Sequence, residues 1–260
     1  MRYLEQTQSS LVPINNLASD PYMGIICYPS PTKKRFQSRL RELMRLSIVS
    51  IDFVGEVRLG SLRVLGKGTS GIVVKAHRLN GSVALKIRRV DSVRKSSRNE
   101  ANVLRLANRL GIGPKVLGVT KNFLVMDLLD GKEITYWVRN LKGKGSTKQL
   151  RINLRDLLEQ CFTLDIGKID HGELSNLRKH VIIGKNVSII DFESSGIERR
   201  TSNVTSAVQY LFIGGPISKK VRRMLRVENT EDLILALRAY KSKMDETSFG
   251  KILSRLNLKS

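Results

Sequence analysis

The sequence predicts an α+β fold in which a β-rich first part precedes a mainly helical second part. Three observations carry that reading. Runs of Val, Ile and Leu punctuated by turn residues dominate residues 48–87. Leu150, Leu154, Leu157, Cys161 and Leu164 keep to one face at helical spacing. Finally, 41% of the 260 residues are apolar, enough to fill one large core or two modest ones.

Residues 1–32 hold Pro13, Pro21, Pro29 and Pro31, which break regular structure, so this stretch is expected to pack as an extended arm or to stay mobile. Across residues 32–45, Phe36, Leu40, Leu43 and Met44 recur at helical spacing while six of 14 positions are Lys or Arg. That pattern predicts a basic amphipathic helix, although a merely solvated face explains the charge equally well. Residues 61–65, 71–76 and 83–87 read as strands, and Asn80-Gly81 between the last two is a hairpin signal that makes the pairing antiparallel. A helix follows at residues 96–110, closed by Gly111, and Gly113-Pro114 opens two further strands at 115–119 and 123–127. After Asp130-Gly131 the pattern turns helical, above all at 149–165. The expected division is an N-terminal extension (1–50), a β-rich lobe (51–130) and a helical lobe (131–260).

Lys and Arg total 46 against 23 Asp and Glu, a net charge of +23 that exceeds what solubility needs and attracts polyanions. The charge is clustered. Residues 86–98 hold six basic side chains and one acid, residues 139–155 six and none, and residues 219–226 five in eight positions. With only 5% aromatic residues and no base-stacking or zinc-finger pattern, contact with RNA or a ribonucleoprotein would go to phosphates and shape; solvated surface is the plainer reading. Two cysteines, Cys27 and Cys161, are too few for a disulfide framework or a thiolate metal site, and a reducing cytoplasm is expected. The start, MRYLEQTQSS, has no apolar signal core and the apolar stretches are too short to span a bilayer, so no membrane partner is expected.

Four motifs carry chemistry. The first is Gly66-Lys67-Gly68-Thr69-Ser70-Gly71-Ile72-Val73, a G-x-G-x-x-G-x-V run between two strands. Glycines let backbone approach phosphate oxygens with no Cβ in the way, and a strand after the triplet favours a phosphate-covering hairpin over a dinucleotide-binding turn. Taken alone, it fits a structural hairpin too. In the second, Val83-Ala84-Leu85-Lys86-Ile87, a lysine sits on an apolar strand and needs a partner; Glu100, on the next helix, is suitably placed to hold it against phosphates. The third, residues 123–131, reads as a strand and connector where backbone from Asp127 to Leu129 could pair with an adenine edge and Met126 bound the pocket, or simply fill the core. The fourth pairs Ile169-Asp170-His171-Gly172-Glu173-Leu174-Ser175-Asn176 with Val187-Ser188-Ile189-Ile190-Asp191-Phe192-Glu193, in which Asp191 follows Glu173 by 18 residues.

Through these motifs, in order over about residues 62–193, the chain resembles the protein-kinase-like superfamily, specifically its compact atypical members, the RIO kinases and the kinase subunit of the KEOPS complex. It is most similar to archaeal predicted serine/threonine kinases whose loops read H-G-E-L and D-F-E. The resemblance implies a two-lobed fold with a β-rich N-lobe and a compact helical C-lobe. It also implies ATP with Mg2+ (or Mn2+), Lys86 on the phosphates, and Asp191 on the metal. Residues Gly66, Lys67, Gly68, Gly71, Val73, Ala84, Glu100, Met126, Asp127 and Leu128 would complete the nucleotide site.

Departures narrow the inference. Glu173 stands where a catalytic Asp is expected, a carboxylate still able to accept a hydroxyl proton. Arg178 occupies the position of a metal-binding Asn, leaving Asn176 as its substitute or Asp191 as the principal ligand. Glu193 replaces a flexible Gly, and with no A-P-E motif an extended activation segment is expected to be absent. His171 reads as an orienting residue, whereas His77 and His180 lack metal-ligand spacing and read as structural or surface residues. The function expected is an atypical serine/threonine protein kinase, autophosphorylating or acting on an unknown protein, or an ATPase associated with RNA or ribonucleoprotein. A pseudokinase serving as a basic nucleotide- or RNA-binding scaffold is the alternative. An aminoglycoside-type phosphotransferase is disfavoured, because a cationic substrate does not suit a chain of charge +23.

Overall fold

A computed structural model describes residues 11–259, an α+β chain with antiparallel sheets that divides into two compact units. The first takes the described residues up to Ala101 together with Lys115–Leu128; the second takes Asn102–Pro114 and the described residues from Leu129 onward. Residues 1–10, the start of the stretch read as irregular, lie outside the described residues.

The first unit begins with strand β1 (Leu11–Pro13), helix α1 (Tyr22–Ile26) and helix α2 (Lys33–Arg45). Strands β2 (Ser50–Asp52), β3 (Val57–Leu59), β4 (Leu62–Val64), β5 (Gly66–Lys67), β6 (Gly71–Arg78) and β7 (Gly81–Arg88) follow, then α3 (Arg98–Arg109), whose first four residues belong here, and finally β8 (Val116–Val119) and β9 (Phe123–Asp127). The main sheet has the order β1-β2-β6-β7-β9-β8 with β5 paired to β6, all antiparallel; β3 and β4 form a separate hairpin. The β6–β7 turn is Leu79-Asn80, one residue earlier than the Asn80-Gly81 signal, with Arg78 opposite Gly81.

Part of the arm reading is corrected. Leu17, Ile25, Ile26 and Cys27 are buried in the same core as Ile51, Ile72, Val74, Leu85 and Phe123, so residues 11–32 are tied down by apolar burial despite their prolines. Helix α2 is capped by Thr32, whose hydroxyl accepts the Arg35 N–H. Its face is not wholly solvated, because Arg39 and Glu42 are buried with their charges met internally. Arg39 donates to the carbonyls of Ile26 and Arg88, and Glu42 accepts the backbone and side-chain N–H groups of Asn122.

The second unit holds the rest of α3, β10 (Gly131–Glu133), α4 (Ile134–Asn140), α5 (Ser146–Ile166), α6 (Leu177–His180), β11 (Val181–Gly184) and β12 (Val187–Ile189). Helices α7 (Asn203–Val208), α8 (Ser218–Leu225), α9 (Thr230–Lys243) and α10 (Glu246–Arg255) complete it, with a short π-helical turn at Gln209–Ile213. Its sheet is small and antiparallel, ordered β10-β11-β12. Leu150, Leu154, Leu157, Cys161 and Leu164, the expected apolar face of α5, are all buried. Both cysteines are buried free thiols, and burial raises the pKa of each. Among the described residues no helix is long and apolar enough to cross a membrane.

Candidate active site

In the first unit the glycine segment is a strand–turn–strand. Gly66 pairs with Val73, the Gly68 N–H donates to the Gly71 carbonyl at 2.8 Å, and β6 then runs beside β7 along its length. Gly71 is favoured by packing, because a Cβ there would stand 3.1 Å from Lys86 Cε and 3.2 Å from Cγ, and the lysine stem would have to shift slightly. Gly66 and Gly68 are not: a Cβ at either would make only ordinary contacts. Lys67 is exposed with its ammonium 5.0 Å from the centre of the Tyr28 ring.

Register decides which candidates share a face. Lys86 pairs with Val73 and Leu124, and Ala84 pairs with Met126. Side chains opposite one another across an antiparallel ladder point the same way, so Val73, Ala84, Lys86, Leu124 and Met126 line one face of the sheet. The other face, bearing Ile72, Val74, Leu85, Ile87, Phe123 and Val125, is the unit's apolar core. Asp127 falls outside the candidate face. It pairs with Val83, its carboxylate accepts the Lys115 N–H at 3.2 Å, and its own N–H donates to the Lys115 carbonyl. Leu128, half-buried, closes the unit's chain.

Lys86 Nζ stands 2.8 Å from Glu100 Oε1, and the two side chains are 11% and 8% exposed. An ammonium on so apolar a strand loses most of its hydration, so the carboxylate from the first turn of α3 is a condition of its burial.

In the second unit, the segment from Ile169 to Glu173 is held by a relay of buried polar groups. Asp165 accepts the Asn203 N–H and side-chain amide, the Val204 N–H and the Tyr240 hydroxyl; burial raises its pKa against the pull of those bonds. Asn203 in turn donates to the Ile169 carbonyl at 2.7 Å and accepts the His171 N–H at 2.9 Å. His171 is fully buried, its Nε2 3.0 Å from the Ile190 carbonyl and its ring edge-on to Phe192. Burial lowers its pKa to about 4, so it is neutral at neutral pH and serves as a strut between the two motif segments. Gly172 has φ of 86° and a Cβ there would collide with Ser194 O and the Arg199 guanidinium, so only glycine fits this turn.

Glu173 has both carboxylate oxygens engaged. Oε1 accepts the Ser194 hydroxyl at 3.1 Å, and Oε2 stands 3.3 Å from His180 Nε2. Asp191 follows β12 in the left-handed region, φ 67°, a cost that non-glycine residues bear chiefly where the surroundings impose it. One ligand atom each from Glu173, His180 and Asp191 lies within 4.8 Å of the other two, so these three could hold a metal ion. Asn176 is exposed at the end of a 3-10 turn, and Arg178 is directed to Glu133 at 3.4 Å. After Asp191 the chain makes one turn at Phe192–Ser194, bridges Gly196 to Asp170 and enters α7.

Compared with models of known protein families, the chain matches none. It is 32% identical over 102 residues to the uncharacterized protein MJ1211 of Methanocaldococcus jannaschii, a match that spans 39% of this chain and 84% of the relative. The chain belongs to the family of that archaeal protein. Nothing in the relative's name assigns an activity to the family.

Several residues of this site escape sequence reading. His180, read as structural or surface, is buried beside Glu173, and its only signal is a distance of seven positions along the chain. Ser194, Asn203, Asp165 and Tyr240 belong to no motif. The basic clusters at 139–155 and 219–226 meet within the second unit, where Lys220 Nζ donates to the carbonyls of Arg139 and Leu141 at 2.9 and 3.1 Å. Lys142, Lys144, Lys148, Lys219 and Arg223 are exposed around that contact.

The ion pair makes a testable demand on stability. Removal of one partner of a buried pair typically costs roughly 3–5 kcal/mol. Lys86→Met and Glu100→Gln are therefore each expected to lower the denaturant stability of the full chain strongly, with the double variant less damaged than the sum. Additivity within about 0.5 kcal/mol would mean the two side chains do not act as a pair.

Proposed function

We propose that this protein is an ATP-dependent phosphotransferase of the protein-kinase-like fold, with the first unit as β-rich N-lobe and the second as compact helical C-lobe. The observation that carries the reading is the buried Lys86–Glu100 pair on β7 and the following helix α3, after a glycine turn. In this arrangement the carboxylate orients the ammonium toward the α- and β-phosphates of a nucleotide. The two glycines that local packing does not demand, Gly66 and Gly68, are explained if phosphate approaches their backbone. Val73, Ala84 and Met126 give the apolar face that an adenine ring needs.

In the second unit Asp191 would supply a hard oxygen to Mg2+, and Glu173, with one oxygen steadied by Ser194, would accept the proton of the attacking hydroxyl or water. The phosphoacceptor is a serine or threonine of this chain or of another protein, or water. Turnover of labelled ATP by the full chain tests this directly. Lys86→Ala and Asp191→Ala are each expected to abolish turnover, the first through the phosphates and the second through the metal. Glu173→Gln should slow it by about 10²–10⁴-fold while ATP still binds. Unchanged turnover in Lys86→Ala would remove the phosphotransferase reading, and a Glu173→Gln protein as active as the parent would remove Glu173 as the base.

The meeting of two basic clusters at Lys220 favours an additional role, association with RNA or a ribonucleoprotein through phosphate contacts. RNA affinity should then fall log-linearly with salt, each contact adding roughly 0.7–0.9 to the slope. Neutralising Lys142, Lys144 and Lys148 together should flatten that slope for all sequences alike. A salt-independent affinity, or no binding near physiological ionic strength, would leave these lysines as solvated surface.

A further inference from the structure

The sharpest unassigned feature of the second unit is a mixed nitrogen and oxygen donor set at the open end of a hairpin. His180 immediately precedes β11 and Asp191 follows β12 after one intervening residue, Ile190; Val181 pairs with Ile189, and the Ile190 N–H donates to the His180 carbonyl at 2.9 Å. That ladder fixes the separation of the two side chains before any ligand arrives. Glu173 joins them from the preceding loop, which is held by the Asp165–Asn203–His171 relay.

His180 is 5% exposed, and its burial has no complete hydrogen-bonding explanation among the described residues. Nε2 stands 3.3 Å from Glu173 Oε2, while Nδ1 is buried with no hydrogen-bond partner. Nε2 is the nitrogen that faces Glu173 and is the one in place to act as a ligand. A separation of 3.3 Å is also the edge expected between two ligands of an ion bound tetrahedrally at about 2.0–2.1 Å, the usual distance for imidazole nitrogen and carboxylate oxygen. The three donor atoms lie within 4.8 Å of one another, close enough for small side-chain rotations to bring all of them onto a single ion.

We propose that Glu173, His180 and Asp191 form a binding site for one divalent transition ion of the Mn2+ to Zn2+ series, with the His180 imidazole as a direct ligand. Carboxylates alone would suit Mg2+, which takes oxygen ligands and retains its waters; an imidazole in the set shifts preference toward ions that accept nitrogen. Glu173 contributes Oε2 to the ion and keeps Oε1, steadied by Ser194, for the acceptor. The inference shares Asp191 with the proposed function and rests on that reading only for the use made of the ion; binding itself needs no nucleotide.

The test is Mn2+ titration of the full chain without nucleotide, followed by electron paramagnetic resonance. The free-ion sextet should be quenched by one bound Mn2+, pulsed spectra of the complex should carry 14N coupling from imidazole, and Mg2+ in tenfold excess should not displace the ion. His180→Ala should weaken binding by more than the roughly 10–100-fold that loss of an outer partner costs, and should remove the 14N coupling. Circular dichroism checks that the variant is folded; if it is not, the 14N coupling of the parent protein decides the matter. No binding, binding without 14N coupling, or equal affinity in a folded His180→Ala protein would overturn the proposal. Mn2+ bound through nitrogen in a protein that never turns over ATP would retain this site and overturn the phosphotransferase reading, whereas Mg2+-dependent turnover without Mn2+ binding would do the reverse.

Discussion

Burying the Lys86 ammonium is the constraint around which the first unit is arranged. A charge on a strand flanked by Leu85 and Ile87, both fully packed, is tolerable only with an anion at hydrogen-bond distance, and Glu100 provides it at 2.8 Å. That requirement reaches outward. It fixes the first turn of α3 against β7, it favours glycine at position 71, where a Cβ would press on the lysine stem, and it leaves Val73, Ala84 and Met126 on the face carrying the charge. Burial of this kind adds little to stability by itself. Its value lies in a cation held in one direction by structure already formed.

The second unit solves a related problem with neutral and acceptor groups. Asp165 sits on the packed side of α5 and is satisfied by four donors, which makes it an anchor for Asn203, and Asn203 anchors the loop that ends in Glu173. His171, kept neutral by burial, ties that loop to the carbonyl preceding Asp191. The segments carrying Glu173 and Asp191 are thus positioned by groups from outside those segments. Substitution in that relay should disturb geometry before it disturbs charge.

Much of this was legible in the sequence because it is local. The β6–β7 turn, the strands flanking it, Gly111 after α3 and the apolar stripe of α5 depend on residues within one or two turns of each other, and they fall within a residue or two of where the pattern puts them. The Lys86–Glu100 pair was legible as well, since a lysine on an apolar strand advertises its need for an acid. What stayed hidden is long-range. Four prolines made residues 11–32 look irregular, whereas Leu17, Ile25, Ile26 and Cys27 are fixed by burial against strands far along the chain. His180 has no signature because its partners come from a loop and a strand end that only the β11–β12 hairpin brings together. The bounds of the second helix told nothing of Arg39 and Glu42, whose burial depends on Asn122, 80 residues beyond Glu42.

The central claim is that Lys86 is aimed at phosphate, and the difficulty in testing it is that a chain of charge +23 attracts any polyanion. Calorimetric titration of the full chain with ATP and Mg2+ separates the two when run on the parent, on Lys86→Met and on the Lys142, Lys144 and Lys148 triple neutralisation. The account expects one ATP bound by the parent, the same affinity in the triple variant, and binding lost in a folded Lys86→Met protein. Equal affinity in Lys86→Met, or no binding by the parent, would contradict it.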